Sequence, residues 1–173
     1  AVNGAYEAHA VAYVHMLLAS PRVLVNDESP RERETVLHIA TRKGWTKCVE
    51  ALLHAKADPC STDRHGRTPL HSTVQRYVGG HCDSFSHRDA ALFRVMEQLL
   101  VARADANALT TATGCTPLMS ALRQYRACGC RSCTGKNNSS VDATAYDVKA
   151  SNARQGVFKR RVLDAMVVLL AYG

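Results

Sequence analysis

An all-α solenoid, a stack of helix-turn-helix repeats, is the fold class that this 173-residue sequence predicts. Three observations predict it. One phrase occurs three times, as Thr35-Val36-Leu37-His38-Ile39-Ala40, Thr68-Pro69-Leu70-His71-Ser72-Thr73 and Thr116-Pro117-Leu118-Met119-Ser120-Ala121. Its first two copies start 33 residues apart, a period that marks stacked helical units. Apolar residues follow each copy at helical spacing, and a composition 46% hydrophobic but only 6% aromatic suits interfaces built from small aliphatic side chains.

The uninterrupted unit, residues 30–62, supplies the template. Thr35 can cap a first helix with its hydroxyl, Leu37, Ile39 and Ala40 form its buried side, and Gly44 ends it. A second helix from about Thr46 to His54 turns Cys48, Val49, Leu52 and Leu53 toward the first. The unit at 63–110 opens with the turn Asp63-Arg64-His65-Gly66, where glycine relieves the cost of a positive φ, and Pro69 sits at the first helical position, where a missing N–H costs nothing. Its second helix ends in Met96, Leu99 and Leu100. The unit at 111–173 repeats Gly114, Pro117 and Leu118 and closes with a helix from about Val157 to Ala171, with Val162, Met166, Leu169 and Leu170 inward. Upstream, residues 1–29 read as a partial unit: Val11 to Ser20, with Val14, Leu17 and Leu18, forms its second helix, and too few residues precede it for a complete first one. Together these make a single repeat domain over 1–173, and a chain that begins and stops inside repeats reads as an excised fragment.

On these residues the chain resembles the ankyrin repeat family, with Lys56-Ala57-Asp58 standing where that family has a Gly-Ala-Asp loop. Departures are visible: Val36 replaces the usual proline, Arg33 stands at the turn glycine, and Thr73 and Val74 replace alanines. The resemblance implies a protein-binding module whose partners dock on a concave side made of turn tips and first-helix edges. The positions it assigns to that side are Arg31, Glu32, Glu34, Arg42, Lys43, Arg64, His65, Arg67, Gln75, Arg76, Thr113, Arg123 and Gln124, while Trp45, just after the first helix, reads either as an aromatic anchor or as a residue packed at the helix turn. Seven of these are cationic and two anionic, so the expected partner is an acidic or phosphorylated protein segment, which arginine grips through paired hydrogen bonds. The alternative is a nucleic-acid-binding adaptor. A net charge of +7 and the run Lys159-Arg160-Arg161 beside Arg154 suit it, but no stacking aromatics accompany that run, which otherwise reads as a solvated helix face.

Two insertions separate first from second helices. From the capping threonine to the matching leucine is 17 residues in the template, 31 from Thr68 to Leu99 and 53 from Thr116 to Leu169, which places insertions at about 79–90 and 127–156. Stacking in register should put them side by side. Cys128, Cys130 and Cys133 in one, with Cys82 (or His81 or His87) in the other, are therefore a candidate structural zinc site, although Cys-x-Cys-x-x-Cys is not among the strong zinc spacings. The polar stretch 135–156 is expected to be mobile.

Catalysis is not indicated. His38 and His71 belong to the repeated phrase, where the resemblance implies a structural hydrogen bond, and Met119 in the third copy shows that the position need not ionise. Nucleophile-elbow, phosphate-loop and His-Glu-x-x-His motifs are absent, and Cys48 lies on an apolar stripe. An odd count of seven cysteines, with Cys48, Cys60, Cys82 and Cys115 far apart in sequence, points to a reducing, intracellular compartment, cytoplasmic or nuclear. The richest apolar run, Ala165 to Ala171, is too short to span a bilayer.

Overall fold

A threonine opens each first helix, and the rest of every repeat is arranged around that cap. The computed structural model describes residues 2–20, 24–79, 87–127 and 160–172. Within them lie α1 (Val2–Leu18), α2 (Val36–Lys43), α3 (Thr46–His54), α4 (Pro69–Val78), α5 (His87–Val101), α6 (Pro117–Ala127) and α7 (160–172), and no strand. First helices α2, α4 and α6 pack in sequence as one layer, and second helices α1, α3 and α5 pack as another. Each pair, α2 with α3 and α4 with α5, closes as a hairpin. The core lies between the layers, where Leu37, Leu52, Leu70, Val74, Leu92, Met96 and Leu99 are all buried, and α7 joins it through Val162, Ala165 and Leu169.

The caps explain the boundaries. Thr35 and Thr68 are extended (ψ 166° and 165°), and their N–H groups each donate to Nδ1 of the histidine three residues on, at 3.2 Å. At the other end α2 closes through Gly44 in the left-handed region, with Gly44 N–H to Thr41 O at 3.0 Å and Trp45 N–H to Ala40 O at 3.1 Å. This crossed pair satisfies the last carbonyls of the helix. The same pattern ends α3 at Lys56 (φ 67°) and α5 at Arg103 (φ 65°), so two long cationic side chains hold a backbone shape that glycine adopts freely. Each costs about 1 kcal/mol relative to glycine.

The turns before the first helices are also built alike. Ser29 Oγ, Asp63 Oδ1 and Thr110 Oγ1 accept the N–H of Glu34, Arg67 and Cys115 at 3.2, 2.9 and 3.1 Å. The residues just before those amides, Arg33, Gly66 and Gly114, all have positive φ. At Gly66 glycine is also required by space, because a Cβ would stand 2.4 Å from the backbone nitrogen of Thr111 in the next turn. Arg64 N–H donates to Glu32 O at 2.9 Å and Ala112 N–H to His65 O at 3.3 Å, so each tip is tied to the one before it.

Several expectations need correction. α1 begins at Val2 rather than Val11, so residues read as too few for a helix extend one instead, and Leu17 is exposed. Ile39 is exposed because it sits on the open edge of α2, at the place that Ser72 and Ser120 take in the next two repeats. Leu170 is 68% exposed and does not face inward, since the inward stripe of α7 runs Val162, Ala165 and Leu169 with Met166 at its margin. α5 starts at His87, inside the stretch read as an insertion.

Candidate functional site

The open side of the α2–α4–α6 layer carries two adjoining grooves. The larger, about 420 Å³, is lined by His65, Arg67, His71, Gln75, Thr110, Ala112, Thr113, Ser120 and Arg123. The smaller, about 260 Å³, is lined by Arg42, Arg67, Ser72, Gln75, Arg76 and Gly79. Arg67 and Gln75 belong to both, so the two form one furrow across the second, third and fourth repeats.

Register makes the furrow. Arg42, Gln75 and Arg123 each lie seven residues after the threonine that opens their helix, and Ser72 and Ser120 lie four after it, so equivalent positions of successive helices align side by side. Of the side chains singled out in the sequence, Arg42, His65, Arg67, Gln75, Arg76, Thr113 and Arg123 meet here. Arg31 and Lys43 are exposed but line neither groove, Arg64 bonds to its neighbours outside them, Trp45 is half-buried against the core, and Gln124 is placed only as part of α6. Ser72 and Ser120 were missed. Their matched position in the repeated phrase was the available signal.

Charge on this face is partly spent within the chain. Arg42 pairs with Glu34, Arg64 with Glu32 at 2.9 Å, and Arg67 with Asp63 at 2.8 Å. Burial acts to raise the Asp63 carboxyl, but hydrogen bonds from Arg67 and the His65 backbone outweigh it and hold the group below the usual carboxylate range. Arg76 and Arg123 have no carboxylate partner among the described residues. Arg123 Nη1 instead donates to Cys115 Sγ at 3.3 Å, and hydrogen bonding with Thr113 and Arg123 lowers that thiol from its ordinary value.

The histidines are structural. His38 Nδ1 accepts from Thr35 N–H, which assigns the proton to Nε2, and Nε2–H donates to Arg67 O of the next turn at 3.0 Å. His71 repeats this, with Nε2–H donating to Cys115 O at 3.0 Å. Burial is the main cause that lowers both from the ordinary imidazole value and keeps them neutral. The Cys48 thiol, pushed up to about 11 chiefly by burial, is not an activated nucleophile.

The basic run that opens the last helix is corrected. Arg161 is 1% exposed, and its Nη2 donates to Asp89 Oδ2 of α5 at 2.7 Å, so it is not a surface cation. Lys159 and Arg154 lie outside the described residues, as do His81, Cys82, Cys128, Cys130 and Cys133; His87 is placed only as the first residue of α5. Among the described residues no cluster of His, Cys, Asp or Glu is suited to a metal ion, and no helix is long and apolar enough to cross a membrane.

The family model for ankyrin repeats, in three copies, matches residues 4–86, and beyond them the turn at Thr110 and Gly114 and the capping Thr116 of α6 repeat the pattern. Residues 4–86 belong to the ankyrin repeat family. The chain is similar to neurogenic locus notch homolog protein 4 of Homo sapiens, 38% identical over 90 residues, which is 52% of this chain and 4% of that protein. It is also similar to neurogenic locus notch homolog protein 1 of Mus musculus, 30% identical over 149 residues, 86% of this chain and 5% of that protein. The chain thus spans only about a twentieth of the length of these relatives. Ankyrin repeats are a non-catalytic type of module that generally mediates protein–protein interaction.

Proposed function

We propose that this ankyrin stack recruits an acidic segment of a partner protein along the furrow between Arg42 and Arg123, and does so without catalysis. The observation that carries this reading is the meeting of Arg42, Arg67, Arg76 and Arg123 from three successive repeats in two joined grooves, against two carboxylates committed to Arg42 and Arg67. The surplus is positive, and guanidinium groups in a groove bind carboxylates with more geometric definition than lysines do. An extended segment lying across the first helices would meet these cations in turn.

Peptide display tests the reading. Peptides selected on the chain should be enriched in Asp and Glu, and Arg76→Glu with Arg123→Glu should weaken them about tenfold or more while leaving helicity unchanged. Both residues lack a carboxylate partner among the described residues, and the reversal of Arg123 costs the turn only the contact to Cys115 Sγ, leaving the Cys115 N–H bond to Thr110 in place. Selected peptides without acidic bias, or binding indifferent to the reversals, would place the interface elsewhere.

A further inference from the structure

We propose that the smaller groove is a phosphoryl pocket, in which a phosphorylated serine or threonine of the partner segment is held between Arg42, Arg67 and Arg76. The proposal rests on the reading of this face as the partner-binding surface and names the group that anchors the partner.

The lining is unusual for an ankyrin surface meant to take an apolar anchor. Three guanidinium groups, the Ser72 hydroxyl, the Gln75 amide and Gly79 make up the whole wall, so every side chain there offers hydrogen-bond donors. About 260 Å³ accommodates a tetrahedral oxyanion with room for its ester stem. Arg88, in the first turn of α5, lies within electrostatic reach of both Arg76 and Asp89. Burial lowers its basicity first, and repulsion from Arg76 adds to that. Its Nε is buried with no hydrogen-bond partner among the described residues. Asp89, the carboxylate beside it, is engaged by Arg161.

Charge and acceptor number then select the ligand. Glu34 and Asp63 offset Arg42 and Arg67, which leaves the charge of Arg76 in excess in the groove lining. One carboxylate could balance that charge but offers only two acceptor oxygens to three arginines. A phosphomonoester carries about −1.5 to −2 at neutral pH and presents three acceptor oxygens to a fan of donors. A nucleic-acid phosphodiester carries a single negative charge and offers two free oxygens rather than three.

Nuclear magnetic resonance titration of the intact chain tests this. N-acetyl-O-phosphoserine N-methylamide should shift the amide signals of Ser72, Gln75 and Gly79 and bind about tenfold tighter than the aspartate analogue. Inorganic phosphate should bind more tightly at pH 7.5 than at pH 5.5, because its second ionisation falls near pH 6 to 7. Arg76→Gln should weaken the phosphoserine probe about tenfold, whereas Arg94→Gln, exposed on the other layer, should leave it unchanged. Equal binding of the aspartate analogue, or shifts that survive Arg76→Gln, would overturn the phosphoryl pocket. An oligothymidylate shifting the same amides at lower concentration than phosphoserine would overturn it in favour of nucleic acid. If this pocket fails while acidic, unphosphorylated peptides still bind in an Arg76- and Arg123-dependent way, the furrow stands without it; if those peptides fail too, the whole face is misassigned.

Discussion

Two buried polar joints hold the stack together, and they are made on opposite principles. In the first-helix layer, His38 and His71 are neutral, reach the next turn's carbonyl, and recur with the repeat. In the second-helix layer, Asp89 and Arg161 are charged, occur once, and bridge 72 residues across an insertion. The histidine joint is modular: a residue caps its own helix with one ring nitrogen and fastens the neighbouring repeat with the other. At the equivalent place in the fourth repeat, Met119 makes no such link and is 51% exposed. The ion pair instead fixes one particular helix, α7, against α5. Beside it Tyr77, fully buried, donates a long hydrogen bond of 3.5 Å to Asp164 of the same helix. A modular neutral joint extends a stack; a charged pair specifies which helix closes it.

The difference predicts unequal responses. Breaking the ion pair has the larger effect, because removing one partner leaves the other charge buried. Asp89→Ala should cost about 3 to 5 kcal/mol in denaturant unfolding. The double change Asp89→Ala with Arg161→Met should recover much of that loss. If the single variant costs less than the exposed pair Arg33 with Glu28, 2.8 Å apart at the surface, the burial of the Asp89–Arg161 pair is wrong.

Acid is expected to work on the histidine joint, with a smaller effect. Both imidazoles fall below their ordinary value of 6.5 in the folded chain, so the unfolded chain binds more protons as pH drops past that point. Their contribution is complete above about pH 6.5 and is lost as pH falls toward the folded values. The slope should reach at most about 1.4 kcal/mol per pH unit for each histidine. Unfolding free energies measured between pH 7.5 and 5.5 should show stability falling with acidity, and His38→Gln with His71→Gln should flatten the curve. An unchanged slope in the double variant would assign the acid sensitivity to other groups.

The same contrast separates what the sequence could reveal from what it could not. The capping threonines, Gly44, Gly66, Gly114 and the paired histidines follow from local rules repeated at a fixed period, and α2, α3, α4 and the start of α6 are readable from them. Arg33 also fits, since its φ of 53° shows that the repeat keeps the turn shape even where glycine is lost. Arg161 was not readable, because a run of basic residues at a helix start looks solvated and its partner is distant in sequence. Nor was the start of α1, where Ala, Tyr and His residues give no clear apolar period. On the binding face, residue positions were legible and their electrostatics were not. Arg42, Arg64 and Arg67 appear as free cations in a sequence, yet each has a carboxylate from its own or an adjoining turn.

Hydrogen exchange of the chain with and without an acidic peptide selected on it is the most direct test of the central claim, that the first-helix layer is the recognition surface. Protection should concentrate in residues 65–76 and 110–123, with α3 and α5 unchanged. Protection confined to α3 and α5, with the arginine furrow exchanging as in the free chain, would contradict the account.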